Sequence, residues 1–151
     1  MAIIRIIAVD PGPKESAVLQ WDGEGVINPR ILTNDALRSW FLDFETDGWT
    51  IAIEMIACYG MPVGAETFET CLFIGRLQEI AGVKELPCQL VYRRDVKRHI
   101  CNNIFAGDPN VRQALIDRFG PPGTKKNPGR LYGVHKHLWS ALAVAITVQA
   151  G

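Results

Sequence analysis

Apolar residues run almost unbroken from Ile3 to Val9, interrupted only by Arg5. A run of this kind, rather than an alternation, predicts a strand buried on both faces of a sheet. It ends in Asp10-Pro11-Gly12, a strong turn signal. Ser16 to Trp21 suits a second strand. Asp22-Gly23-Glu24-Gly25 predicts a hairpin turn into a third, over residues 26–32. Thr33 or Asn34 can cap a helix reaching to about residue 44. Thr50 to Glu54 is again apolar and again ends in a carboxylate. A Gly/Pro loop at 60–64 precedes a helix from Ala65 to Ala81, with Gly82 as its stop. Phe68, Cys71, Leu72, Ile74, Leu77 and Ile80 cover a wider arc of that helix than one sheet contact requires. Residues 88–92 form a last strand. Helices follow at 95–104 and 109–119, the second with Asp108 as N-cap and Pro109 at its first position. A Gly/Pro/Lys loop fills 120–130, and an apolar helix over 134–149 closes the pattern. A strand hairpin followed by strands alternating with helices predicts an α/β sheet whose first and fourth strands are adjacent and parallel.

Composition narrows the class. With 151 residues, 48% hydrophobic and 21% charged, the chain suits one soluble domain with a sizeable core. No apolar run is long enough to span a membrane, and the first residues lack the pattern of a secretory signal, so a cytoplasmic location is expected. The four cysteines, Cys58, Cys71, Cys88 and Cys101, contain no close pair and read as reduced, mostly buried thiols. The zero net charge conceals a division. Residues 1–90 carry 6 Lys and Arg against 13 Asp and Glu, whereas residues 91–151 carry 10 against 3. A basic second part suggests a surface that meets a polyanion.

Asp10 and Glu54 are the candidate chemistry. Either alone is as readily a turn former or a strand end. Together they stand at the carboxyl ends of two apolar strands, the edge where sites assemble in open α/β sheets. Carboxylates gathered there repel one another, and a hard divalent cation such as Mg²⁺ relieves the repulsion. The sequence GVHKHLWSALAVAI, residues 133–146, offers further ligands. If its small residues pack that helix onto the sheet, His137 and Ser140, one turn apart, can face the strand ends. His135 and Lys136 are assigned to solvent or substrate, and Trp139 to the core.

Taken in order, these segments resemble RuvC, the Holliday-junction resolvase family within the ribonuclease H-like nucleases. IIAVDPG resembles its first strand, IAIE its central strand and FETCLFIGRLQEIAG the helix that follows. VYRRDVKRHI resembles its strand and basic helix start, and HLWSALAVAI its closing helix. The resemblance implies a ribonuclease H-like fold, with a mixed central sheet of an antiparallel hairpin plus parallel strands, flanked by helices. It implies catalytic residues at Asp10, Glu54 and His137, and two Mg²⁺ ions (or Mn²⁺) on Asp10, Glu54, His137 and Ser140. It also implies branched DNA as substrate, cut by a homodimer to leave a 5′ phosphate and a 3′ hydroxyl. The broad helix 65–81 is the candidate dimer interface. Three departures stand out: Ser140 occupies a position where Asp is usual, the stretch between Asp10 and Glu54 is short, and the loop over 120–133 is long. The last two are closer to phage-type relatives, and so to a bacterial or phage-infected cell. Glu66, Glu69 and Asp108 are alternative donors for the missing carboxylate.

Two basic clusters fit phosphate contacts: Lys125, Lys126 and Arg130 on the loop, and Arg93, Arg94, Lys97 and Arg98 at the helix start. Tyr132 or Phe105 could stack on an unpaired base. The expected activity is therefore Mg²⁺-dependent cleavage of branched DNA. The alternatives are a junction-binding protein that no longer cuts, consistent with Ser140, and a nuclease for RNA–DNA hybrids. A nucleotide phosphatase using the DPG turn ranks below them, because no glycine-rich phosphate loop accompanies it.

Overall fold

The computed structural model describes residues 4–151. Its five-stranded sheet runs in the order β3-β2-β1-β4-β5. The strands are β1 (Arg5–Asp10), β2 (Glu15–Trp21), β3 (Val26–Thr33), β4 (Trp49–Met55) and β5 (Cys88–Tyr92). β1 pairs antiparallel with β2 and parallel with β4, and β4 is parallel to β5. The hairpin and the parallel pairing of the first and fourth strands are as expected. The helices are α1 (Asn34–Asp43), α2 (Ala65–Val83), α3 (Arg93–Cys101), α4 (Asp108–Phe119) and α5 (Leu138–Ala150). Ile3, expected at the start of β1, lies outside the described residues.

Strand alternation divides the core in two. Ile7, Val9, Val18, Ile51 and Ile53 face α1 and α2, meeting Leu37, Phe41, Phe73, Ile74 and Leu77. Ile6, Ala8, Ala17, Leu19, Trp21 and Ala52 face the opposite layer, built from α3, α4 and α5. The sheet is therefore covered on both sides, which is why β1 reads as a continuous apolar run. α5 lies against β1, β2 and β4. Its residues from Ala141 to Ile146 are all fully buried, the alanines among them allowing close approach to the strands.

Several boundaries differ from expectation. Gly82 lies inside the last turn of α2, and the chain turns at Glu85, whose φ is +57°. Just beyond the helix, Lys84 Nζ donates to the carbonyls of Phe41 and Phe44 (2.9 Å to the latter) at the end of α1. α3 starts at Arg93 and stops where Asn102 takes a left-handed conformation. Gly107 caps α4, so Asp108 is its first residue rather than its cap. The Asn110 side chain accepts the Gly107 N–H at 3.0 Å. α5 starts at Leu138, because residues 131–137 form a chain of tight turns. The cysteines are also less buried than expected. Cys58 is exposed in the loop after β4, and the other three are half-buried.

The turns before α5 are sterically exacting. Gly133 has φ +88°, and a Cβ there would lie 2.7 Å from Cγ of Pro29. Gly133→Ala is expected to destabilise the protein by about 1–3 kcal/mol, read as a lower urea midpoint at unchanged m-value.

Candidate active site

The pairing of β1 with β4 brings the two carboxylates together. Val9 is opposite Ile53, so Asp10 and Glu54 are the next residues along adjacent parallel strands. By alternation they share the face of Ala8 and Ala52, the one covered by α5. Glu54 is in turn opposite Val91 of β5, and two residues later Arg93 opens α3 at the same sheet edge. The turn after Asp10 is fastened from two sides. Gly12 N–H donates to Ser16 Oγ at 3.2 Å, Asn34 Nδ2 donates to the Gly12 carbonyl at 2.9 Å, and Ser16 Oγ donates to Asn34 Oδ1 at 2.7 Å. Thr33 is the N-cap of α1, which leaves the Asn34 side chain for this task. A Cβ on Gly12 would lie 2.4 Å from the Glu15 carbonyl oxygen, so glycine is required there.

The N-terminal end of α5 adds His137 and Ser140. His137 Nδ1 lies 3.2 Å from Asp10 Oδ2, with its side chain 79% exposed. Ser140 Oγ accepts from Arg93 Nη1 at 3.5 Å. The Arg93 guanidinium also lies 3.7 Å from Glu54 Oε1 and is paired with the Asp108 carboxylate. Two clefts meet at His137. One, of about 350 Å³, is lined by Arg93, Asp108, Arg112, Lys136 and Ser140 among others. The second, of similar size, runs along Asp10 to Pro13 and Ser16. Trp139, assigned to the core, is half-buried against it and also lines the first cleft.

Burial dominates the electrostatics. It raises the Asp10 carboxyl to about 6, although a hydrogen bond from Glu54 and the charge of Arg93 both oppose the rise. Burial also raises Glu54, with the Asp10 charge adding to it, to about 7; Arg93 and His137 pull the other way. The two therefore titrate as a pair. Among the described residues, no three His, Cys, Asp or Glu side chains are grouped closely enough to cage a metal ion. The Asp10–Glu54 pair still suits a hard divalent cation by its chemistry: two adjacent buried carboxylates, all oxygen donors, whose ionised forms the surroundings disfavour.

Of the alternative donors, Asp108 is taken up by Arg93. Glu69 lines a separate groove with Lys14, Asn34 and Arg76, and Glu66 belongs to the first turn of α2. The basic residues divide in the same way. Lys125 and Lys126 are exposed at the tip of a loop closed by the Gly123–Pro128 bridge. Arg130 is exposed; its Nε donates to the Glu24 carbonyl, and its guanidinium lies 5.1 Å from the Phe119 ring centroid. Arg94 stacks over Tyr59 at 4.1 Å, Arg98 pairs with Asp95 at 3.4 Å, and Lys97 is half-buried on α3. Phe105 and Tyr132 are both exposed.

Solved structures share this arrangement of elements. The chain superposes on Thermus thermophilus RuvC with 16% identity and a TM-score of 0.71. It superposes on T. thermophilus RuvC in complex with Holliday junction substrate with 14% identity and a TM-score of 0.75. Each alignment covers 95% of this chain and 92% of the other. The chain has the RuvC fold. No family model and no curated protein matches its sequence. The RuvC-like, ribonuclease H-like α/β architecture implied by the sequence segments is thus the one observed. Sequence reading placed Asp10, Glu54, His137 and Ser140 at this RuvC-like edge. It missed the supporting roles of Ser16 and Asn34, and it read Arg93 only as part of a basic cluster.

The raised carboxyls set the pH dependence of metal-free protein. A native pKa above its unfolded value means that the native state binds more protons, so stability falls as pH rises from about 4 to 7. In EDTA the protein is expected to lose several kcal/mol, on the order of 5, across that range from this pair. Asp10→Asn should roughly halve the loss in urea titrations at pH 5 and pH 8, leaving the part due to the burial of Glu54. An unaltered slope would refute the assignment.

Proposed function

We propose that this protein is a divalent-cation-dependent endonuclease for branched DNA, of the kind that resolves four-way junctions. The observation that carries the reading is the Asp10–Glu54 pair at the parallel strand ends, capped by His137 at the start of α5, within a RuvC fold. Asp10 and Glu54 would hold Mg²⁺ or Mn²⁺, and His137, whose exposed side chain lies beside Asp10, would join them by a shift toward the pair. When bound, such an ion activates water and neutralises charge on a phosphodiester. Hydrolysis forms a bond from the water oxygen to phosphorus, breaks the bond to the 3′ oxygen and returns a proton to that oxygen. A 5′ phosphate and a 3′ hydroxyl result.

The chain's own residues do the remaining work. The Ser16–Asn34 clasp holds the Asp10 turn in place. Arg93, Arg112 and Lys136 give the cleft beside His137 a positive lining suited to a phosphate backbone. Lys125 and Lys126 on the 120–130 loop, and Arg94 and Lys97 on α3, would add further phosphate contacts. On labelled four-way junctions, Mg²⁺ or Mn²⁺ should give paired, symmetric nicks on denaturing gels, lost in Asp10→Asn. Bound but uncut junctions under both metals would favour a junction-binding protein that does not cut. Preferential cutting of an RNA–DNA hybrid would favour the hybrid nuclease.

Paired nicking calls for two copies, and α2 supplies a surface. Phe68 and Leu72, one turn apart, are 62% and 66% exposed, with no heavy atom within 4 Å of a Cβ built on nearby Gly75. Burying them against a second α2 recovers apolar area that the sheet contact leaves in water. Sedimentation should report a dimer for the unmodified chain and a monomer for Phe68→Asp/Leu72→Asp. Identical behaviour of the two would remove α2 from the interface.

A further inference from the structure

We propose that Arg93 stands where a second divalent ion would otherwise be held, so that this site takes one cation and the guanidinium supplies the other positive charge. The inference rests on the nuclease reading above and deepens it. Three observations carry it. Arg93 stands among three partners: Glu54 Oε1 at 3.7 Å, Ser140 Oγ at 3.5 Å and the Asp108 carboxylate. A second dication near Ser140 would meet a neutral hydroxyl already turned to Arg93, and the nearby carboxylate that could replace it, Asp108, is itself paired with Arg93. Such an ion would also have to approach the Arg93 cation across a half-buried gap, where repulsion is poorly screened.

The third observation is accessibility. The Arg93 side chain is 30% exposed and lines the cleft shared with Arg112, Lys136 and His137. A guanidinium is always charged, and its planar fork matches two oxygens of a phosphate. Arg93 is therefore placed both to compensate Glu54 and to grip the scissile phosphate. Asp108, which holds Arg93 from the first turn of α4, is a positioning residue. Ser140 and Arg93 then form one matched pair: the loss of a carboxylate at 140 is answered by a cation that needs only a hydroxyl there.

Calorimetric titration of the full chain with Mn²⁺ at pH 7.5 tests this without any variant. One equivalent per chain is expected. Two equivalents in the unmodified protein overturn the inference while leaving the nuclease reading to the cleavage assay. No binding, with junctions uncut, overturns both. The double change Arg93→Gln with Ser140→Asp should restore a second equivalent. Arg93→Gln alone should keep one equivalent yet slow cutting at saturating Mn²⁺ by about 100-fold, the usual effect of removing a charge-stabilising donor. Arg93→Lys should recover part of that loss. Cutting by Arg93→Gln at the unmodified rate would overturn the proposal.

Discussion

Two carboxyl groups held side by side out of water constrain everything around them. Asp10 and Glu54 are placed by a parallel strand pair that is buried on both faces, and neither can retreat toward solvent without breaking the sheet. Their charge has to be answered locally by protons, cations or hydrogen-bond donors. The surrounding elements end on suitable groups. His137 comes from the start of α5 and Arg93 from the start of α3, while the turn after Asp10 is clamped by side chains from β2 and α1.

The burial of the sheet and the placement of its acidic pair were legible in the sequence because both depend on local pattern. A run such as Ile6 to Val9 belongs between two layers, and alternation then assigns Asp10 and Glu54 to one face. The α5 contribution was partly legible. The alanine run shows that the helix must pack closely, but the turns at 131–137 depend on Gly133 fitting against Pro29, a contact between residues far apart in sequence.

Arg93 was not legible as a site residue. Its role depends on α3 starting immediately after β5, two residues before the expected start at Asp95, and on Asp108 entering from another helix. A cluster of four basic residues looks alike in sequence whether its members face solvent, a ring or a carboxylate. Here Arg93 meets Glu54, Arg94 covers Tyr59 and Arg98 pairs with Asp95. Arg130 makes the same point. Its charge suggests a phosphate contact, and the structure adds a local one: its Nε donates to the carbonyl of Glu24, over a hundred residues earlier, while the residue stays exposed.

The burial of α5 has a consequence for how this site can be altered. The helix is anchored by Leu138 and by the unbroken buried stretch from Ala141 to Ile146, while Ser140 projects from it half-buried and carries none of that packing. An exchange at 140 therefore alters the chemistry at the strand ends and leaves the scaffold intact. A carboxylate or a hydroxyl can stand at 140 on the same helix frame. The side chain that meets Ser140, Arg93, comes from a different helix, so the two groups are placed by separate elements.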